Sequence, residues 1–179
     1  PSRSGGAKES EPYRLYVAHI LRTEVDSIMN IRSHPQAIIM GDFNDYPTNQ
    51  SILKILKAEA PPVKTNDLAS TTDSANASTV TPSSLKLYHL LARKAKSKNF
   101  GSYKFRGEWG LLDHLIVSGT LLNQSNHFFT SEEKANVCLL PFLLKDDEKY
   151  GDKEPFRTYK GMKYQGGISH HLPIYTDLN

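Results

Sequence analysis

Three short segments of this sequence carry polar side chains that could activate a water molecule or bind a phosphate. The first, Gly41-Asp42-Phe43-Asn44, follows the apolar run 37–40. Residues two apart in an extended segment point to the same side, so Asp42 and Asn44 can project together from the end of a strand. Asp and Asn also form turns readily, because they bond their own backbone and tolerate left-handed conformations. By itself this segment indicates either a catalytic loop or an ordinary turn.

The second segment, 109–118, places Asp113 within a strand-like run of apolar residues. Alternation puts its carboxylate on the same face as Leu111, Leu115 and Val117. Burying an unpaired charge costs roughly several kcal/mol, so a nearby histidine or metal ion would account for this aspartate. The alternative is an aspartate at a strand edge that faces water.

The third segment, 166–175, delivers two imidazoles, His170 and His171, from a glycine-containing loop into an apolar strand. Adjacent residues in an extended segment point to opposite faces. Only one of the two histidines can therefore share a site with a given partner. The competing interpretation is that both lie on the surface.

Taken together and in this order, the three segments resemble the endonuclease/exonuclease/phosphatase family, whose members include DNase I-like nucleases. Residues 41–44 match its GDFN block, residues 112–116 resemble its Asp-bearing strand, and residues 169–173 are similar to its closing SDHxP block. The resemblance runs from about residue 14 to residue 178. It implies an α/β fold, the DNase I-like four-layer αββα sandwich, with residues 1–179 forming the C-terminal part of one such domain.

The resemblance also implies a catalytic set of Asp42, Asn44, Asp113 and His171. Asp42 would orient or deprotonate the attacking water, and Asn44 would bind the phosphate and hold Asp42. His171 would stabilise charge on the phosphate oxygen or donate a proton, and Asp113 would fix the tautomer of His171. A carboxylate near a divalent cation suits this chemistry, because water is a poor nucleophile at neutral pH. His114 would be only a neighbour.

A divalent metal, Mg²⁺ or Mn²⁺, is the cofactor that the resemblance implies, with Asp42, Asn44 and His170 as ligands and the main acidic ligand upstream of residue 1. His170 stands where the family has an aspartate. An imidazole nitrogen replaces a hard oxygen there, which favours softer transition metals over magnesium. Manganese dependence or weak metal binding is therefore expected.

Three residues are candidates for substrate binding: Arg3, Tyr103 and Arg106. Arg3 lies in a segment that resembles a substrate-side loop of a bacterial branch of the family, although a solvated terminal arginine is the alternative. Tyr103 and Arg106 belong to an aromatic and basic stretch that could cradle a phosphate backbone, or could be a solvated face. The basic members of that stretch are Arg93, Lys94, Lys96, Lys98, Lys104 and Arg106.

Composition narrows the function classes only slightly. The formal net charge of +3 is too small to indicate a nucleic-acid partner. The single cysteine, Cys138, excludes an internal disulfide and a cysteine-based zinc cluster, and its apolar neighbours predict that it is buried. The apolar runs are too short for a membrane span. The sequence indicates a phosphate-ester substrate, with nucleic acid among the candidates, and no protein partner; it fixes no compartment.

These segments need supporting elements, which the hydrophobic pattern predicts in outline. The predicted elements are a helix over 9–33, a buried strand over 37–40, a helix capped by Thr48, a surface loop over 64–84, a helix over 84–96, a hairpin over 101–118 with its connection at 107–110, and a closing strand over 168–178. The functional hypothesis is a metal-dependent phosphoesterase that hydrolyses a phosphodiester or a phosphomonoester with activated water. The alternative is a catalytically silent phosphate or nucleic-acid binding module of the same fold.

Overall fold

The computed structural model describes residues 2–3, 5–63, 83 and 85–179, which form a mixed α/β fold. Its longest helix, α1, spans Glu11–Ile31. A one-turn π-helix covers Ser51–Leu56. Short 3₁₀ turns follow later in the chain, over Lys94–Lys96, Gly119–Leu122 and Pro141–Leu143. Of the predicted loop 64–84, all but Ser83 lies outside the described residues.

The main sheet has four strands: β1 (Ile38–Asp42), β2 (Ala58–Glu59), β3 (Leu87–His89) and β6 (Asp113–Ser118). Their order across the sheet is β1-β6-β3-β2. β1 and β6 run antiparallel in a register that sets Asp42 opposite Asp113. Residues opposite each other in an antiparallel pair have Cα atoms roughly 4.5–5.5 Å apart. The register therefore brings two predicted site carboxylates together.

The remaining strands form two-stranded ribbons. β4 (Tyr103–Phe105) pairs with β5 (Glu108–Gly110), and β8 (Leu144–Asp146) pairs with β9 (Lys153–Pro155). β10 (Tyr159–Lys160) and β11 (Lys163–Tyr164) form a tight hairpin. β7 (Ala135–Val137) pairs with β12 (Ile174–Thr176), the strand that follows His171.

The core has two layers, one on each face of the main sheet, because successive strand residues point to opposite faces. On one face, Ile116 packs against α1 and the π-helix; the buried residues of this layer are Ala18, Val25, Met29, Ile52, Leu56, Ala58, Leu87 and Ile116. On the other face, Leu115 and Val117 pack with residues from the β7–β12 ribbon and its flanks, including Ala135, Val137 and Leu172. β6 is thus central to both layers.

Several predicted elements are confirmed and others are wrong. The first helix is confirmed, although it is shorter than predicted. The hairpin predicted over 101–118 is wrong in its pairing, because β4 pairs with β5 across a turn at Arg106-Gly107 and β6 instead joins the main sheet between β1 and β3. The prediction of a fully buried β1 is wrong, because β1 is the outer strand of the described sheet and exposes Ile38 and Met40. The predicted cap at Thr48 is also wrong: Gln50 precedes the π-helix without a side-chain cap.

The helix predicted over 84–96 is wrong, and the reason is non-local. Residues Leu87–His89 instead form β3, whose ladder with β6 joins Leu87 to Ser118 and His89 to Ile116. Pairing across a sheet overrides a short helical pattern when burial on both faces is gained. The closing strand is shorter than predicted, at Ile174–Thr176, and Cys138 is half-buried rather than buried. Within the described residues, no helix has the length and hydropathy needed to span a bilayer.

Candidate active site

The loop that follows β1 holds Asp42 in a fixed orientation. Asn44 adopts a left-handed backbone conformation with φ of 54°. In that conformation its backbone N–H donates to Asp42 Oδ1 at 2.8 Å, and its side-chain Nδ2 donates to Asp42 Oδ2 at 3.1 Å. The two interpretations of this segment therefore coexist, since the turn itself orients an exposed carboxylate.

Arg3 contacts this loop, although it lies 41 residues before Asn44 in the sequence. Its Nε donates to the backbone oxygen of Asn44 at 2.7 Å, and its guanidinium carbon lies 4.8 Å from the centroid of the Tyr46 ring. Arg3 thus adds positive charge at the Asp42 loop. Its predicted contact with substrate remains a prediction.

Asp113 and His171 form a hydrogen-bonded pair across the site. The His171 Nδ1 atom lies 2.7 Å from Asp113 Oδ2, and both side chains are half-buried. Since a carboxylate accepts, Nδ1 carries the proton and Nε2 is left for another partner. The sequence expectation that Asp113 has a histidine partner is met by this contact.

Ser102 also binds Asp113, and the sequence did not predict this contact. Its Oγ donates to the same Oδ2 of Asp113, and its backbone oxygen accepts the N–H of Leu172 at 2.7 Å. The second bond fixes the segment that carries His171. Ser102 can reach Asp113 because the backbones at Gly101 and Gly110 approach closely: a Cβ at Gly101 would lie 2.5 Å from the Gly110 oxygen. These two glycines were the feature of the sequence that could have indicated the close approach.

Electrostatics favour the protonated form of His171. Partial burial lowers the pKa of His171, but the hydrogen bond to Asp113 and the negative charges of Asp113 and Asp42 outweigh it, so that the pKa is raised above the ordinary 6.5. An imidazolium with Nε2–H directed away from Asp113 can contact a phosphate oxygen.

The two carboxylates of this site, Asp42 and Asp113, also suit a divalent cation, whereas a protonated His171 has no lone pair to offer one. One ligand atom each from Asp42, Asp113 and His171 lie within 4.8 Å of one another. Magnesium is held in proteins through one or two carboxylates together with water and substrate phosphate. Asp42 is the exposed member and keeps lone pairs beyond those that Asn44 uses. His170, the predicted nitrogen ligand, is not a member of this cluster.

His170 and His171 diverge, as expected for adjacent residues. His170 is exposed, and slight burial followed by the positive charges of Arg157 and His171 lowers its pKa. Arg157 is a cation near both histidines that the sequence analysis missed. Its guanidinium lies 5.3 Å from the Tyr103 ring centroid, and that ring lies 4.9 Å from the His171 ring. Tyr103 is thereby placed directly beside the candidate catalytic histidine.

The basic stretch predicted to cradle a phosphate backbone is divided by the fold. The Lys104 side chain is buried, with Nζ 3.2 Å from Asp147 Oδ2 and bonded to two backbone oxygens. Arg93 pairs with Glu132, and Lys94 donates to the backbone oxygen of Ala135. A cradle built from all six basic residues is therefore wrong. Arg106 remains exposed at the tip of the β4–β5 turn.

Beneath the Asp42 loop, Asp45 anchors the chain to α1. Asp45 is buried; it accepts hydrogen bonds from Asn49 at 2.7 Å and Ser51 at 2.6 Å, and its Oδ1 lies 2.8 Å from Arg14 Nε. Arg14 is itself buried, and its two terminal nitrogens donate to Ser10 Oγ and to the Ala7 oxygen. This network fixes the residues that directly follow Asn44.

A chain of two buried histidines supports the same loop. The Leu91 N–H donates to His89 Nδ1, His89 Nε2 lies 2.5 Å from His114 Nδ1, and His114 Nε2 lies 2.8 Å from the Asp45 backbone oxygen. Only one assignment satisfies every bond: each imidazole is neutral and donates from Nε2. Burial lowers the pKa of both histidines, most strongly for His89, where the nearby His114 adds to the effect.

We expect acid to destabilise the protein through this pair. Because both folded pKa values lie below the ordinary 6.5, the unfolded chain binds more protons below that pH, and stability is lost as the pH falls. The slope reaches about 1.4 kcal/mol per pH unit for each proton taken up. Urea unfolding between about pH 7 and pH 5.5 measures it, in a window above most carboxylate titration.

His89→Leu should reduce this slope, whereas the matched change of an exposed histidine, His127→Gln, should leave it intact. A slope in His89→Leu as steep as that of the wild-type protein would contradict the neutral pair. His171 acts in the opposite sense over part of this window, because its raised pKa adds stability that is lost as the pH rises through 6.5. Comparing the variants with the wild-type protein cancels that contribution.

Comparison with known proteins agrees with this geometry. The model of the Endonuclease/Exonuclease/phosphatase family matches the chain in two segments, residues 1–71 and 64–179. The chain belongs to this family, whose members are generally hydrolases of phosphate esters that use a divalent metal. Its mixed α/β architecture is that of the DNase I-like fold. No match is found among curated proteins or among solved structures.

Proposed function

We propose that this protein is a metal-dependent phosphoesterase that attacks a phosphodiester or phosphomonoester with an activated water molecule. The observation that supports it best is the Asp113–His171 pair, with 2.7 Å between Oδ2 and Nδ1, within 4.8 Å of a carboxylate atom of Asp42. A carboxylate acceptor and a charged donor at that separation can act on the two sides of one phosphate.

Asp42 is the proposed general base. Its carboxylate is exposed and held by two bonds from Asn44, so the remaining lone pairs can orient a water molecule and accept its proton. Asn44 contributes by fixing Asp42 and has its own amide oxygen for the water or the cation. A divalent metal bound here would lower the pKa of water and screen the phosphate charge.

His171 is the proposed phosphate-binding group. With Nδ1–H directed to Asp113, its Nε2–H is positioned to donate to a non-bridging oxygen as negative charge accumulates there. The raised pKa favours the protonated form of this donor. Asp113 and Ser102 act through His171 by fixing its tautomer and ring orientation.

The proposed cofactor is Mg²⁺ or Mn²⁺ held by Asp42, Asn44 and further ligands. Both ions accept carboxylate and amide oxygens. The sequence-based assignment of His170 as a ligand stays a prediction, and it favours Mn²⁺ because imidazole is the softer donor. Arg3 is proposed to contact the phosphate from the Asn44 side of the loop.

The test is hydrolysis of bis(p-nitrophenyl) phosphate and of single-stranded DNA with Mg²⁺, with Mn²⁺ and with EDTA. We expect metal-dependent turnover that Asp42→Ala abolishes and Asp177→Ala, a change at an exposed aspartate, leaves intact. Phosphate binding without turnover under every metal would instead support the silent binding module. Turnover that survives both EDTA and Asp42→Ala would reject the proposed mechanism.

A further inference from the structure

Two aromatic rings extend from the candidate site along β4. Tyr103 and Phe105 lie two residues apart on one face of the strand, with ring centroids 6.4 Å apart and an angle of 12° between the rings. Tyr103 contacts the His171 ring, whereas Phe105 is 55% exposed. The rings therefore lead from the reacting position out into solvent. A phenylalanine side chain that is exposed to this extent does not stabilise the hydrophobic core.

Two arginines accompany these rings. The Arg157 guanidinium lies 5.3 Å from the Tyr103 ring centroid, and the Arg106 guanidinium lies 5.2 Å from the Phe105 ring centroid. Arg157 is positioned by a bond to the backbone oxygen of Lys104. The Lys104 side chain points the other way, into its buried pair with Asp147. The ring face thus carries two planar cations and no lysine from this strand.

This combination selects one ligand chemistry among phosphate esters. Aromatic and guanidinium planes both stack on nucleobases, and guanidinium also forks onto phosphate oxygens. A lipid headgroup with a quaternary ammonium could use the rings but would be repelled by the two arginines. An inositol phosphate could use the arginines but has no flat ring for Phe105. Only unpaired bases expose the faces that such stacking needs.

We propose that Tyr103, Phe105, Arg106 and Arg157 form a binding surface for single-stranded nucleic acid beside the scissile phosphate. Bases stack on Tyr103 and Phe105, and the two arginines contact the flanking phosphates. This rests on the proposed function, which it deepens by naming single-stranded nucleic acid as the substrate class. Phe105 acts in specificity alone, because it is the outer ring and contacts no group of the candidate catalytic set in the described structure.

The test is fluorescence anisotropy in EDTA with a labelled oligothymidylate and with an abasic oligonucleotide of the same length. Both probes carry the same phosphates and differ only in their bases. We expect the oligothymidylate to bind more tightly, and Phe105→Leu to weaken it about tenfold or more, as for loss of one stacked base. Phe105→Tyr should restore binding, and Phe128→Leu, at an exposed phenylalanine outside β4, should not alter it.

Equal affinity for the two probes, or no effect of Phe105→Leu on the oligothymidylate, would overturn the proposal. So would tighter binding of the duplex form of the same sequence. Arg157→Gln should weaken both probes and reduce the salt dependence of binding, since it removes a phosphate contact. Hydrolysis of methyl p-nitrophenyl phosphate is measured separately: its absence would count against the phosphoesterase, whereas the binding result decides the nucleic-acid surface on its own.

Discussion

Replacing His171 with alanine is expected to lower kcat/KM for phosphate-ester hydrolysis by about a thousandfold. Loss of a donor that stabilises developing charge costs roughly a hundred- to a thousandfold, and loss of a positioned proton donor by itself costs a comparable amount, so either role alone accounts for the expected decrease. His171 is suited to both roles, because Asp113 holds its Nδ1 at 2.7 Å and its pKa is raised. Steady-state kinetics with saturating metal measures the loss.

The matched control is the neighbouring histidine. His170→Ala should cost less than about tenfold, because His170 is exposed and lies outside the cluster of Asp42, Asp113 and His171. Equal losses in the two variants would contradict this and would favour His170 as the metal ligand expected from the sequence. A shift in metal preference towards Mg²⁺ in His170→Asp would point the same way.

Asp113→Asn separates positioning from direct contact. The amide can still bond the imidazole but no longer supplies the charge that raises the His171 pKa, so activity should fall steeply and the alkaline limit of the pH profile should move down. The double variant with His171→Ala should be scarcely worse than His171→Ala alone, because the two residues act as a unit. Additive losses would mean that Asp113 has an independent role.

Replacing Arg14 with methionine is expected to lower the free energy of unfolding by about 3–5 kcal/mol, the usual cost of leaving a buried charge unpaired. Arg14 and Asp45 are both almost fully buried, with Nε and Oδ1 2.8 Å apart. The change also removes the two bonds from Arg14 to the segment before α1. Urea unfolding at neutral pH measures the loss.

The same helix provides a matched control. Arg22 pairs with Asp26 one turn away, and this pair is partly exposed. Arg22 also donates to the backbone oxygen of Leu56 at 2.9 Å. Arg22→Met should therefore cost about 1–2 kcal/mol, still less than the change at Arg14. Adding Asp45→Leu to Arg14→Met should recover part of the stability, since removing both charges is cheaper than removing one. Equal losses at Arg14 and Arg22 would show that burial does not decide the strength of the Arg14 pair.

The candidate site could be found from the sequence as far as its motifs are local. Asp42 and Asn44 are two residues apart, and their mutual hydrogen bonds follow from one left-handed turn. Asp113 within an apolar strand required a partner on physical grounds, and His171 occupies that place from 58 residues away. The sequence therefore predicted the type of partner that Asp113 has, whereas the choice between His170 and His171 rested on the resemblance to the family.

The fold was predictable in segments whose buried residues recur with one clear spacing along the sequence. The pattern of α1 is helical over its whole length and specifies one buried stripe, so its bounds were close. The helix predicted over residues 84–96 was wrong because a short apolar run is compatible with both a helix and a strand. The deciding contact was the ladder from β3 to β6, which joins residues far apart in the chain.

By itself, the sequence determined the chemical groups of this protein: a carboxylate and amide held by one turn, an aspartate that needs a partner, and a histidine at the start of a closing strand. Only the tertiary structure decided what surrounds them, namely Ser102, Arg157, the Arg14–Asp45 pair and the neutral His89–His114 chain. The physical reason is distance along the chain. Hydrogen bonds such as that between His114 and the Asp45 oxygen, 69 residues apart, depend on the packing of whole elements and leave no local pattern.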